Sequence, residues 1–331
     1  MKYINNFFAV TAFVISFLAY LMTMAPTTSF WDCGEFIATS VIMGVPHPPG
    51  TPLYLLIGNF FSQLPLFTDI GARVNFISVI ASSLSVLLLY LISVQFIEIW
   101  RGKANTLNEK IITYGSAFIG SMTFAFTDSH WFNAVEAEVY SLSTFFTAIV
   151  VWLILKWNAE DDNKGERYIL IIGYMLGLAT GIHLLNLLTL PFIALIIYFK
   201  KYNYSHMGLS YTIGLTLISF IIIYLGIIKG IPNLANSYGL YLTIAIVLSI
   251  FPIAYYFIFI IKNTTASTII SFFALILIGF STYSTIFIRA SQHPNINENN
   301  PDTLKGALAY MNRDQYGDWS IIDRASTIKR D

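Results

Sequence analysis

The chain has 331 residues, of which 56% are hydrophobic and 11% charged, with a mean hydropathy of +0.67. Soluble globular chains carry about 25% charged residues, so there is too little charge here to cover a soluble surface, and the chain reads as an all-α polytopic membrane protein. Eighteen basic residues balance eighteen acidic ones, which leaves no polybasic field for nucleic acid. The single cysteine, Cys33, excludes an intrachain disulfide and a CxxC metal site.

A bilayer crossing needs ~20 apolar residues. In chain order, charge-free stretches of that kind cover residues 3–24, 74–97, 111–127, 139–155, 207–228, 231–261 and 263–288. Residues 1–24 resemble a signal peptide, but no small-residue cleavage site follows, so they are taken as the first crossing. Residues 168–199 form one further uncharged stretch. As a single helix it would be ~48 Å long, too long for the hydrocarbon core. Gly181-Ile182-His183 lies near its middle and Pro191 follows, which predicts two half-spans meeting at His183.

That reading gives about nine crossings, with the N-terminus cytoplasmic and the C-terminus outside. It places Lys2, Arg101, Lys103, Lys110, Lys156, Lys164, Arg167, Lys200, Lys201 and Lys262 inside and only Arg73 and Lys229 outside, ten against two. A single long crossing would give eight against four. The positive-inside rule favours nine. The expected division is a membrane domain over residues 1–288 and an outer polar tail over 289–331, the start of a longer soluble region. In the outer loop 25–73, residues 35–44 and 53–64 are short amphipathic runs suited to the interface. No internal repeat, heptad series or low-complexity tract stands out.

Ionisable groups near membrane depth are costly and mark function. Under this topology they gather on the outer side. Asp32 and Glu35 are spaced to share one helix face, either as a catalytic pair or as a helix N-cap with its capping-box partner. His47 opens the rigid turn His47-Pro48-Pro49-Gly50-Thr51-Pro52, whose prolines fix the backbone. Asp128, His130, Glu136 and Glu138 follow the third crossing, and helical Glu136 and Glu138 would point to different sides. Carboxylates and imidazole are donors for a divalent cation, but Asp128, His130 and Glu138 match no specific metal motif. His183 is either a hydrogen-bonded core histidine or a substrate contact. Arg289 ends the last crossing, where a guanidinium either snorkels to headgroups or grips a phosphate. Beyond it, residues 295–302 are rich in turn formers and acceptors. Such an outward site suits a lipid-phosphate sugar donor: a carboxylate base for an acceptor hydroxyl, cationic groups for the departing phosphate and an oxocarbenium-like transition state.

Four motifs stand in order: Trp31-Asp32-Cys33-Gly34-Glu35-Phe36, Gly44-Val45-Pro46-His47-Pro48-Pro49-Gly50-Thr51-Pro52-Leu53, Glu136-Ala137-Glu138-Val139-Tyr140 and Asn297-Glu298-Asn299-Asn300-Pro301-Asp302-Thr303. Through them the chain resembles, along nearly its whole length, the GT-C-type protein O-mannosyltransferases related to transmembrane protein 260, a family that includes a large bacterial group long labelled as a domain of unknown function. The resemblance implies a GT-C-like bundle in the cytoplasmic membrane. It also implies a polyprenyl-phosphate donor carrying mannose and Ser or Thr of exported proteins as acceptor. The catalytic carboxylate of the first outer loop, the general base, then falls on Asp32, with Glu35 next. Glu35 or Glu138 would position substrate, His47 and Arg289 would hold the lipid phosphate, and Asp128, Glu136 and His183 complete the expected substrate site. The resemblance assigns no cofactor and leaves metal dependence open, and a divalent cation could bind. Two alternatives share the observations: the same donor with a lipid or cell-envelope glycan acceptor, and a non-enzymatic transporter or flippase, against which the gathering of charge at one rim speaks.

Overall fold

The computed structural model describes residues 3–161, 165–261 and 264–317. Lys2, Lys164, Lys262 and tail residues 318–331 lie outside the described residues. The described chain folds into α1 (Tyr3–Thr23), α2 (Cys33–Ile42), α3 (Pro52–Gln63), α4 (Ile70–Arg101), α5 (Leu107–Ala125), α6 (Asp128–Ala134), α7 (Val139–Ala159), α8 (Glu166–Thr180), α9 (Leu190–Lys201), α10 (His206–Ile221), α11 (Gly230–Tyr238), α12 (Leu240–Ile261), α13 (Thr264–Phe280), α14 (Ser284–Ala290) and α15 (Leu304–Asn312). Among the described residues the only β pairing is an isolated bridge between Val45 and Asn297.

Seven helical stretches among these residues are long and apolar enough to cross a membrane: Tyr3–Thr23, Ile70–Arg101, Val139–Ala159, Leu184–Lys201, His206–Tyr238, Leu240–Phe257 and Thr265–Ala290. Of the other two expected crossings, α5 carries Glu109 and Lys110 in its first turns, and α8 is 15 residues long. The short helices α2 and α3 fall where the amphipathic runs of the first loop predict them.

The uncharged stretch 168–199 breaks as expected. α8 ends at Thr180, Gly181–His183 form the turn, and a 3-10 segment (Leu184–Thr189) leads into α9. Lys200 Nζ at the far end of α9 donates to the carbonyls of Trp157 (2.8 Å) and Glu160 (2.7 Å). Arg167 in the first turn of α8 reaches the Glu160 carboxylate at 3.4 Å. Both ends therefore sit at the end of α7, and the chain turns back at His183. One boundary differs from expectation. The stretch 231–261 does not begin a crossing at Ile231; Gly230–Tyr238 form the separate α11, and α12 starts at Leu240. Gly239 makes that break with φ 88°, a conformation open to glycine.

Helix packing relies on small residues, as expected where the lipid supplies no hydrophobic drive between helices. Gly173 and Gly177, four apart on α8, face α13 so closely that a Cβ at Gly177 would stand 2.3 Å from the Ile276 carbonyl oxygen. Gly279 meets Gly177 and Leu178 in return. This contact carries Tyr283 to α8, where its hydroxyl donates to the Thr180 carbonyl at 3.2 Å. A buried cluster including Cys33, Phe36, Tyr54, Val74, Ile77, Val139, Phe146 and Ile182 joins α2, α3, α4, α7 and the α8 turn. Loops at that end are tied by bonds to backbone carbonyls: the Asn75 side-chain Nδ2 donates to Ala25 O (2.8 Å) and Thr27 O (2.9 Å), and Ala25 N donates to Val135 O at 2.9 Å.

The first part of the polar tail is not separate from this end. Val45 N donates to Ile296 O (2.9 Å), and Glu298 N to Val45 O (3.0 Å). Asn299 and Asn300 take positive φ to turn the chain, as asparagine tolerates. Thr303 then caps α15 by accepting from Gly306 N at 3.0 Å. The Tyr310 hydroxyl on α15 donates to Pro46 O at 2.5 Å.

Candidate active site

A cavity of about 510 Å³ opens at this end, with α2, the His47–Thr51 turn, the start of α7, the α8 turn and the segment after α15 as its walls. Asp32, Glu35, His47, Glu138 and His183 all line it. The sequence separates these groups by up to 151 positions, and the buried cluster joining α2, α3, α4, α7 and the α8 turn unites them.

Trp31 holds φ 58°, unusual for a bulky side chain, and this bend delivers Asp32 to the N-cap of α2. The carboxylate does not cap the helix: no side-chain cap bond forms, and Asp32 is exposed at the cavity wall. Glu35 is not a capping partner either. Its Oε1 accepts from the His47 backbone N–H at 2.6 Å, and its Oε2 lies 2.7 Å from His47 Nδ1. That hydrogen bond raises the imidazole pKa against the opposing effect of burial. Nδ1 is thus occupied as a donor, and Nε2 is the ring's free nitrogen. Asp32, Glu35 and His47 each offer a ligand atom within 4.8 Å of the others. Among the described residues this is the group close enough to share one cation, and carboxylate with imidazole suits a hard or borderline divalent ion.

Glu138 is the N-cap of α7 and only 7% exposed. Burial first, and the Asp32 charge second, push its carboxyl up to about 7. Glu136 and Glu138 are not on a helix, but they do diverge. Glu136 turns inward, 2% exposed with Oε1 unpartnered, toward the fully buried Cys33. Burial, reinforced by both glutamates, pushes that thiol up, which makes it a poor nucleophile. His183 accepts from Leu185 N at Nδ1 (3.2 Å), and its ring lies tilted against Tyr140 with centroids 5.4 Å apart. Burial, then the Arg313 charge, lowers its pKa. A neutral ring accepting at Nδ1 carries its proton on Nε2.

The other expected residues lie elsewhere. Asp128 begins α6 and is exposed. His130 is buried against Phe124 and Tyr20, and burial lowers its pKa to about 4. Neither lines the cavity. Arg289 also stays outside it. Its Nε donates to Met43 O at 2.7 Å, Nη2 to Ile42 O at 3.1 Å, and Nη1 to the Gln292 side chain. These bonds satisfy the carbonyls left open at the C-terminus of α2. The guanidinium at the cavity is instead Arg313, with Tyr316 beside it and Tyr283 on the adjoining wall. No spacing motif marks Arg313, because α15 packing alone brings it there. Glu298 does stand in a quoted motif, and its charge reaches Glu35 and His47.

Fold and site together define a polytopic membrane protein with a carboxylate- and imidazole-lined cavity at one end of its helices. A family model described as the Protein O-mannosyl-transferase TMEM260 N-terminal domain matches residues 32–206, just over half of the chain, and the chain belongs to that family. The match is narrower than the likeness expected along nearly the whole chain, yet it spans Asp32, Glu35, His47, Glu138 and His183. The chain is similar to a protein of Dictyostelium discoideum named Protein O-mannosyl-transferase tmem260, at 26% identity over 48% of this chain and 18% of the relative. It is also similar to Protein O-mannosyl-transferase TMEM260 of Mus musculus, at 24% identity over 63% of this chain and 28% of the relative. The aligned stretches thus span under a third of either relative. No solved structure matches the chain.

Proposed function

We propose that this chain carries the donor site of a membrane protein O-mannosyltransferase. It moves mannose from a polyprenyl-phosphate donor to Ser or Thr of exported proteins with inversion at the sugar. The observation that supports this most is Asp32: an exposed, uncapped carboxylate beside the Glu35–His47 pair, in a cavity of about 510 Å³. The relatives' names supply the reaction class.

In this reading the acceptor hydroxyl oxygen attacks the anomeric carbon while Asp32 takes its proton. The carbon–oxygen bond to phosphate breaks, and its electron pair leaves with the phosphate. General base assistance of this kind contributes ~10²–10⁴-fold. Glu35 keeps His47 protonated and aimed, so that Nε2–H meets the phosphate as charge develops. Glu138 positions the sugar and acceptor, His183 meets the donor from the opposite wall, and Glu136 supports the wall behind. Arg289 serves indirectly by fixing the end of α2. Asp128 approaches only a longer acceptor. With His47 neutral instead, a divalent cation held by Asp32, Glu35 and His47 would take the place of its proton and act as a Lewis acid.

The cavity faces outward from the cytoplasmic membrane, with the N-terminus cytoplasmic. This rests on the positive-inside rule, since Arg101, Lys156, Arg167 and Lys200 lie at helix ends remote from the cavity. The test is transfer from labelled polyprenyl-phosphate-mannose to a Ser/Thr peptide by wild type and Asp32→Asn, with and without EDTA. Wild-type transfer that the variant loses is the expected result, and undiminished transfer by folded Asp32→Asn removes Asp32 from the mechanism. A lipid acceptor in parallel distinguishes the alternative acceptor class.

A further inference from the structure

We propose that Arg313 and His183 form the anion subsite of this cavity and hold the phosphate of a prenyl-phosphate lipid whose chain runs into the adjoining apolar groove past Tyr283. The inference rests on the donor class proposed above and assigns its phosphate to residues outside the four quoted motifs.

The cavity is polarised. Asp32, Glu35 and Glu138 line the wall built by α2 and α7, and His47 is held within it by Glu35. Arg313 and His183 belong to the wall built by the α8 turn and the segment after α15. The two are electrostatically coupled: the Arg313 charge helps keep the His183 imidazole neutral. Among the described residues no carboxylate forms an ion pair with Arg313, whose planar group lies 4.8 Å from the Tyr316 ring. A guanidinium stacked this way keeps its in-plane N–H donors available for bidentate phosphate binding. His183, with Nδ1 occupied by Leu185 N–H, adds a neutral N–H donor. By contrast, Arg289 has its donors committed to Ile42, Met43 and Gln292.

A second observation points to the same ligand. A groove of about 880 Å³ runs between α12, α13 and α14, lined by apolar side chains such as Leu240, Val247, Phe251, Leu277 and Phe287. Tyr283 lines both this groove and the polar cavity. An amphiphile bridging the two would have its anionic head at Arg313, its chain along the groove and its esterified sugar toward Asp32. A free phosphate would use the first half only.

The experiment measures binding of farnesyl monophosphate, farnesol and inorganic phosphate to the purified full chain in detergent, for wild type, Arg313→Ala, Arg313→Lys and Asp32→Asn. Wild type is expected to bind farnesyl monophosphate at least tenfold more tightly than farnesol or inorganic phosphate. Arg313→Ala should lose at least tenfold for farnesyl monophosphate while farnesol binding, which reports an intact groove, stays as in wild type. Arg313→Lys should fall between, because an ammonium lacks the fork. Asp32→Asn should bind the phosphate as well as wild type or better. Equal binding by Arg313→Ala and wild type overturns the assignment even where sugar transfer is intact. Equal affinity of wild type for farnesyl monophosphate and inorganic phosphate overturns the lipid part. Phosphate-lipid binding that depends on Arg313 without any sugar transfer would instead count against the transferase reading and leave this subsite standing.

Discussion

Glu35 holds His47 by two atoms at once: one carboxylate oxygen takes the backbone N–H at 2.6 Å and the other meets Nδ1 at 2.7 Å. A loop histidine is thereby fixed in both backbone position and ring orientation, as if it were part of α2. The same bond keeps the ring's proton, since it raises the imidazole pKa. Carboxylate and imidazole act as one unit, and neither can be replaced without releasing the other.

That coupling has a pH signature. A histidine whose folded pKa is raised stabilises the fold fully below its unfolded value, ~6.5, and the contribution is lost as pH rises through the folded value. The thermal midpoint of wild type in detergent should exceed that of His47→Gln at mildly acid pH, with the gap closing above neutrality. Glu35→Gln should lower the His47 pKa, read by NMR titration of the ring. A gap that grows with pH would contradict the assignment.

Glu138 has the same sign of stability dependence as His47, although its cause is burial rather than a partner. Its folded carboxyl titrates at about 7 against an ordinary 4.5, so the native state binds more protons than the unfolded state between those values. Stability therefore falls as pH rises through that window, by an amount on the order of 3 kcal/mol at full ionisation. Glu138→Gln should flatten the decline. Midpoints of both proteins measured from pH 4 to pH 8 check it, and parallel curves would show that Glu138 does not titrate there.

Arg289 should behave as a structural residue. Arg289→Ala leaves the last carbonyls of α2 without their guanidinium partner. Losing charge-assisted bonds of this kind costs ~1.5–3 kcal/mol. The expected result is a lower thermal midpoint with farnesyl monophosphate affinity close to wild type in the folded fraction. Loss of affinity without loss of stability would return Arg289 to the phosphate.

The turn after His47 depends on Tyr310. Gly50 has φ 77°, and a Cβ there would stand 2.7 Å from the Tyr310 hydroxyl oxygen. Gly50→Ala should destabilise by ~1–2 kcal/mol from the backbone conformation alone, and further from the clash. Tyr310→Phe should cost ~1–3 kcal/mol by orphaning the Pro46 carbonyl. Because the two share one contact, the Gly50→Ala penalty should shrink in the Tyr310→Phe background. A double-mutant cycle of thermal midpoints measures this, and strict additivity would mean that the hydroxyl is not what limits the turn.

The all-α class, most crossings and both interfacial helices were legible in the sequence, because an apolar run of bilayer length has few other solutions. The break at Gly181–His183 followed from length and charge placement alone. Asp32, Glu35, His47, Glu138 and His183 were legible as candidates, since costly polar groups at membrane depth stand out one by one. Their roles were not. Whether Glu35 caps α2 or holds His47 depends on how the following turn folds back, and whether the available arginine is Arg289 or Arg313 depends on a contact across 246 residues and on α15 packing. Hydropathy records only whether a residue suits lipid or water. Which donors meet which acceptors is decided by the close approach of helices at Gly173, Gly177 and Gly279 and by the return of the tail onto Val45, and those long-range contacts exist only in the folded chain.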